Sequence, residues 1–310
     1  GTARAGELRP RRCDVIAGSA AAVDASVRSR DGAWYALGQV TGSIAEGGAP
    51  TRVLPDGTTL TRGEAGFGAH AAAGRSGGEP WRWEAHWEYA SPTLELNGVG
   101  FQQTQNQQLG RALLRHVRPS GGGPFHSWAL QLGAEARRTT DGRGLARGAA
   151  AWLASEFQLR SFHWLGATLY AEPERWDVRE IDESGAAMRR PGSASVDLWF
   201  SSDPSKALSV EVGGGAGRTF RAGPLAPLSY AGGVVRTVVR PHPRAETRLD
   251  LRYEWNGWRA RWIDTDGAGG QLFGDLRAPV LSATLRQQLV LTRHLTLQAY
   301  AQLFTTYGRY

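Results

Sequence analysis

Cysteine is almost missing from this chain: in 310 residues only Cys13 occurs, so no internal disulfide can form, and no Cys/His spacing suits a structural zinc site. Disulfide scaffolds and zinc modules are excluded. Long apolar runs are lacking too. Nothing approaches the roughly 18 consecutive apolar residues of a membrane-crossing helix, and mean hydropathy is -0.37. Lysine is represented by Lys206 alone, so the formal net charge of +7 (36 Lys+Arg against 29 Asp+Glu) rests on arginine. Those arginines are scattered from Arg4 to Arg309 and form no stripe of the kind that neutralises phosphate. An Arg-, Ala- and Gly-biased composition accounts for them, and no nucleic-acid partner is expected.

Local signatures of chemistry are equally sparse. The seven histidines, at 70, 86, 116, 126, 163, 242 and 294, never occur as His-x-His or His-Glu-x-x-His, so metal ligation has no local support. The run Gly213 to Gly217 lacks the Gly-Lys-Ser/Thr of a phosphate loop and reads as a flexible strand end entering an exposed loop. Asp264-Thr265-Asp266-Gly267 lacks the third oxygen ligand and closing Glu of a calcium loop. Glu172, Glu174, Asp177, Glu180, Asp182 and Glu183 read as a solvated loop. No nucleophile elbow and no Ser, His and acid triad are assigned from spacing. No catalytic residue, cofactor or metal is expected, and the chain is not read as an enzyme.

What is present is alternation. From Glu246 to Asn256, Thr247, Leu249, Leu251, Tyr253 and Trp255 occupy one parity and Glu246, Arg248, Asp250, Arg252 and Glu254 the other. A period of two means a strand with one apolar and one charged face. Trp81 to Ala90, Leu208 to Gly213 and Leu295 to Phe304 repeat it. Weaker versions near 19–28, 33–46, 64–74, 111–118, 126–137, 145–159, 162–171, 193–200, 228–239 and 276–292 bring the expected strands to fourteen. Most span about ten residues, the length of a tilted strand crossing a bilayer and longer than the usual five or six. Connectors alternate between short (29–32, 75–80, 119–125, 160–161, 201–207, 240–245, 293–294) and generally longer (47–63, 91–110, 138–144, 172–192, 217–227, 257–275). Tight turns and larger loops in strict turn are the habit of an outer-membrane barrel.

In such a barrel the apolar parity meets lipid, because a charge there costs roughly 2–4 kcal/mol near the midplane. Arg82, Glu84, His86, Glu88, Glu135, Arg137, Glu211, Arg248, Asp250, Arg252, Glu254 and Arg286 are then expected to line a lumen, as a salt-bridged wall or a wet pore, while the 12 Trp residues fall largely on the outward face.

Three segments resemble a known family: LFGDLRAPVLSATLRQQLVLTRHLTLQAYAQLF at Leu272 to Phe304, ELNGVGF at Glu95 to Phe101, and CDVIAGSAAAVDASVRSRDGAWYALGQVTGS at Cys13 to Ser43. They are similar to the C-terminal barrel of an uncharacterised bacterial outer-membrane family, the domain of unknown function five-nine-one-six, over most of the chain. Members typically carry an N-terminal sandwich domain similar to family-nine carbohydrate-binding modules before the barrel. The resemblance implies an outer-membrane location and a glycan-related or secretory role, and it carries over no catalytic residues.

The expected fold is therefore an all-β, antiparallel transmembrane barrel of about fourteen strands forming a single domain. The short connector at 29–32 puts both chain ends on the long-loop side, opposite to a bacterial barrel's periplasmic ends. At least one further strand before Ser19 and one after Tyr310 is thus expected, the chain being part of a larger barrel. The expected function is a channel or docking pore in the bacterial outer membrane. It would be embedded in outer-membrane lipid and pass a small solute, glycan or polypeptide. The alternative is a non-conducting surface-binding or scaffold barrel that recognises glycan or protein through loops 91–110 and 172–191. A soluble β protein is the third class.

Overall fold

The computed structural model describes residues 18–309 apart from 98–101, 103, 183, 224 and 256; Cys13, Glu183 and Tyr310 lie outside the described residues. Twenty strands and no helix occur among the described residues. In chain order they are β1 (Gly18–Arg28), β2 (Trp34–Ala45), β3 (Thr51–Val53), β4 (Thr59–Thr61), β5 (Ala65–Arg75), β6 (Trp81–Ala90) and β7 (Gln107–Arg118). There follow β8 (Phe125–Arg138), β9 (Ala146–Leu159), β10 (Trp164–Glu172), β11 (Arg175–Asp177), β12 (Met188–Arg190), β13 (Ser193–Ser201) and β14 (Leu208–Thr219). The last are β15 (Ser229–His242), β16 (Ala245–Trp255), β17 (Gly257–Thr265), β18 (Gln271–Arg277), β19 (Val280–Thr292) and β20 (Leu295–Thr306).

Fourteen of these form one antiparallel sheet in the order β1-β2-β5-β6-β7-β8-β9-β10-β13-β14-β15-β16-β19-β20. Each of the fourteen expected strands is present. The other six make three hairpins, β3/β4, β11/β12 and β17/β18, set in long connectors. Alternation cannot register strands of three residues, and the β17/β18 pairing shifts register twice, so the hairpins escaped the period-two pattern. The sheet is open: β1 and β20 each pair on one side only among the described residues.

Two boundaries need correction. The expected strand at 276–292 is divided, with residues to Arg277 in β18 and β19 starting at Val280, because Pro279 has no N–H to donate. The run Gly213–Gly217 is no loose strand end but the continuation of β14 to Thr219. Its glycines make room on the sheet: a Cβ on Gly215 would stand 2.0 Å from an Asp197 carboxylate oxygen, and one on Gly217 2.3 Å from the Tyr230 ring.

Register carries parity across the whole sheet. Gln39 pairs with His70, His70 with Glu88, Glu88 with Leu109 and Leu109 with Arg137, so residues of one parity share one face. The opposite face is predominantly apolar and is uncovered among the described residues. Val23 is 78% exposed, Leu198 59% and Leu303 63%. The charges on that face, Arg75, Arg118, Arg138 and Arg218, stand at or next to strand ends. The four largest fully buried side chains, Leu60, Val178, Asn106 and Asp56, all lie in the long connectors and their hairpins.

Candidate functional site

The pairing places all twelve expected lumen residues on the polar face. They fall into local groups. Glu135 accepts from Arg111 on β7 and from its own neighbour Arg137, both at 2.7 Å. Arg236 on β15 bridges Glu211 on β14 and Asp250 on β16, at 2.6 Å each, and Arg248 adds a contact of 2.9 Å to Asp250. Arg252 pairs with Glu254. Arg286 stands 5.5 Å over the Tyr300 ring, and Arg82 donates to the Gly78 carbonyl at 3.2 Å. Glu84 accepts from the Tyr35 hydroxyl. His86 meets His70 of β5 ring nitrogen to ring nitrogen, with Glu88 3.6 Å from it.

Sequence reasoning missed Tyr35, His70, Arg111 and Arg236. Each lies on a neighbouring strand, so only the register, which no local spacing reveals, brings it to its partner. The outward placement of Trp also holds only in part. Trp34, Trp81, Trp83, Trp87, Trp128 and Trp255 are on the apolar face, whereas Trp152, Trp164 and Trp199 are on the polar one and Trp176, Trp258 and Trp262 are in the hairpins. Two of the polar-face rings, Trp152 and Trp199, occupy the space above a facing glycine. A Cβ on Gly133 would come within 2.1 Å of the Trp152 ring, and one on Gly166 within 2.5 Å of Trp199.

A strap narrows the polar face. The connector after β6 turns back over β2 and β5: the Glu95 amide donates to the Ser43 hydroxyl at 3.0 Å, and a Cβ on Gly66 would sit 2.3 Å from the Thr93 carbonyl oxygen. Strap residues Leu94, Leu96, Gln102 and Thr104 line, with wall residues including Gln39, Thr41, His70, Glu88 and Arg137, a half-open cavity of about 500 Å³.

Above the wall the long connectors tie into a crown. Asp56, at the tip of the β3/β4 hairpin, accepts from Gln105 at 3.1 Å and from the Asn106 amide at 2.9 Å. The Asn106 side chain also donates to Asp141 at 2.9 Å, and its Oδ1 accepts from the Thr140 backbone amide at 2.8 Å. Farther along, Glu180 takes Arg190 at 2.5 Å, Arg261 at 3.1 Å and the Trp262 amide at 2.8 Å. The acidic run at 172–182 is therefore only in part a solvated loop: Glu174 and Asp182 are exposed, while the Glu180 side chain is buried. Glu172 and Glu174 are paired with Arg175 and Arg189, and Asp177 with Arg190. Arginines occupy these carboxylates, and the three residues bracketing Glu180 bury it. Burial pushes the Asp141 carboxyl up, but hydrogen bonds from Arg143 and Asn106 outweigh it and hold the group below the ordinary carboxylate range. Asp177 behaves alike: burial raises it, and the Arg179 amide and Arg190 lower it further than that.

Other local motifs remain structural. Asp266 caps its own turn, accepting from the Ala268 amide at 2.9 Å and the Gly270 amide at 2.6 Å. Gly74-Arg75-Ser76-Gly77-Gly78 has the Gly-x-Ser-x-Gly spelling of a nucleophile elbow, which the sequence expectations passed over. It occupies the short turn from β5 to β6, with no helix after it, so the strand-to-helix bend that exposes the serine is not built.

A family profile described as "Domain of unknown function (DUF5916)" matches residues 15–310. The chain belongs to this family. The DUF5916 match takes in every strand of the sheet, in keeping with the resemblance seen at Leu272 to Phe304. No curated protein and no solved structure matches the chain.

Proposed function

We propose that this DUF5916 chain forms the wall of a transmembrane β-barrel in the bacterial outer membrane and that its polar face lines a channel or docking pore. The observation that carries the reading is the bare apolar face, which continues across fourteen strands with no second layer of structure over it among the described residues. In water so large an apolar surface is untenable, while in lipid it is the stable arrangement. Aromatic rings bracket that face. At the short-turn end Trp34 stands 5.9 Å from Trp83, and His116 lies between Trp81 and Trp128 at 4.6 and 4.9 Å. At the long-loop end Phe67 meets Tyr89 at 5.1 Å. Amphipathic rings at two levels suit the two headgroup regions. A barrel has no free edges, so the proposal requires the open sides of β1 and β20 to find strand partners.

Charged groups that satisfy one another along the polar face, narrowed by the strap, would set selectivity by pore width and field. A small solute, glycan or polypeptide is the proposed cargo. The tied crown favours a second reading, a non-conducting barrel that presents its loops to glycan or protein. Planar-bilayer recording of the full-length protein separates the two. Stable conductance steps are expected from a channel; a silent bilayer with glycan binding that depends on residues 91–106 and 173–192 would replace it with the scaffold.

A further inference from the structure

We infer that His70, His86 and Glu88 form a binding site for a divalent transition-metal ion, with zinc the representative case. One ligand atom from each of the three lies within 4.8 Å of the others. The site is built by the sheet itself. His70 and Glu88 are direct cross-strand partners on β5 and β6, and His86 precedes Glu88 by two positions on the same face. Alternate residues of one strand and a facing residue of the next give three side chains one common target, which a separation of 16 residues in sequence conceals.

The donor set has the right chemistry. Two imidazole nitrogens and one carboxylate are ligands suited to zinc, iron, cobalt or nickel, and three protein ligands leave coordination positions open. Two neutral rings facing each other through Nε2 share a single N–H···N hydrogen bond, and when both carry their proton on Nδ1 the two Nε2 lone pairs converge as a cation would need them. Three cations stand nearby: Arg111, the cross-strand partner of His86, and Arg137 are both held by Glu135 at 2.7 Å, and Arg147, which also lines the cavity, is directed to the Gln105 and Asn106 carbonyls at 3.3 and 3.4 Å. His70 and Glu88 line the cavity beneath the strap, together with Gln39 and Gln102. Open metal positions would therefore face a polar chamber of about 500 Å³, fitting a metal-bound water or an oxygen-donor ligand. The site does not depend on the membrane proposal, since the cluster lies on the polar face whether or not the sheet closes.

The test is metal binding by the refolded full chain in detergent, after stripping with chelator. Zinc is measured by equilibrium dialysis, and cobalt(II) by its visible d–d absorption. We expect a stoichiometric site with the intense cobalt bands of low coordination number. His86→Ala and Glu88→Gln should each weaken zinc binding at least about 100-fold, the upper end of what losing a mere supporting group costs. His163→Ala, in a distant turn, should leave it unchanged. Glu88→Gln preserves shape, so a folding defect in the histidine variant does not blunt the test. Absence of the cobalt bands in the wild-type chain, or zinc affinity that survives both ligand variants, would overturn the site. Neither result depends on whether the protein conducts.

Discussion

The wall and the crown solve opposite problems with the same chain. In the wall, large apolar side chains such as Leu169 and Leu297 are exposed, with none of the described residues layered over them, and polar groups pair on the other face. In the crown, Leu60, Val178, Asp56 and Asn106 are sealed inside and every buried carboxylate meets a donor. The crown is built like a small water-soluble protein. The wall is turned inside out, the arrangement that the proposed barrel in lipid requires.

The sharpest way to break that contrast is to compare neighbours on β10. In lipid vesicles Leu169→Arg should cost about 2–4 kcal/mol of folding free energy, whereas Thr168→Arg, one residue away on the polar face, should cost under about 1 kcal/mol. Urea titration of both variants into bilayers measures this. Equal costs would mean that lipid does not touch the wall. In the crown, Asn106→Leu takes one donor from Asp56 and one from Asp141, leaving Gln105 and Arg143 on them, and should loosen the connectors by about 1–2 kcal/mol. Hydrogen exchange should show faster opening at 139–145 with strand amides in β14–β16 unaffected.

Smaller effects probe the wall's polar side. Gly133→Ala drives a methyl into the Trp152 ring and should cost about 1–3 kcal/mol, recovered in Gly133→Ala/Trp152→Leu. Arg236→Ala, whose partners are partly exposed, should cost under about 1 kcal/mol and show itself in ion selectivity before stability. Acid gives the mildest perturbation. Asp141 and Asp177 have folded-state pKa values below the ordinary carboxylate value, so their contribution is complete above that value and fades as pH falls through the depressed one. The crown should resist protease from neutral pH down to about pH 4 and yield only below it.

Strand number, strand faces and loop alternation were legible because they are written with a period of two, and each apolar parity stays uncharged over ten residues or so. What escaped was anything that depends on register or on close packing between connectors. His70 and His86 belong to different strands, Arg236 serves two others, and Asp56 meets Asn106 across 50 residues. A loop rich in acids looked solvated because its arginine partners, Arg190 and Arg261, come from elsewhere. The glycine run in β14 misled because its use is to leave space for Asp197 and Tyr230, facing residues that lie outside the run.

The order of the sheet has a bearing on assembly. Every ladder in it joins strands adjacent in the sheet's own succession, so the wall can grow hairpin by hairpin from short-range contacts. The crown cannot. Glu180 reaches the Trp262 amide across 82 residues, and Arg190 reaches the Ala260 carbonyl across 70, with β13 to β16 lying between them in the sheet. Those contacts must wait until the intervening strands are in place. This part of the crown is thereby a latch whose closure requires β13 to β16 to be in place, and protection of Glu180 is expected to trail protection of those strands.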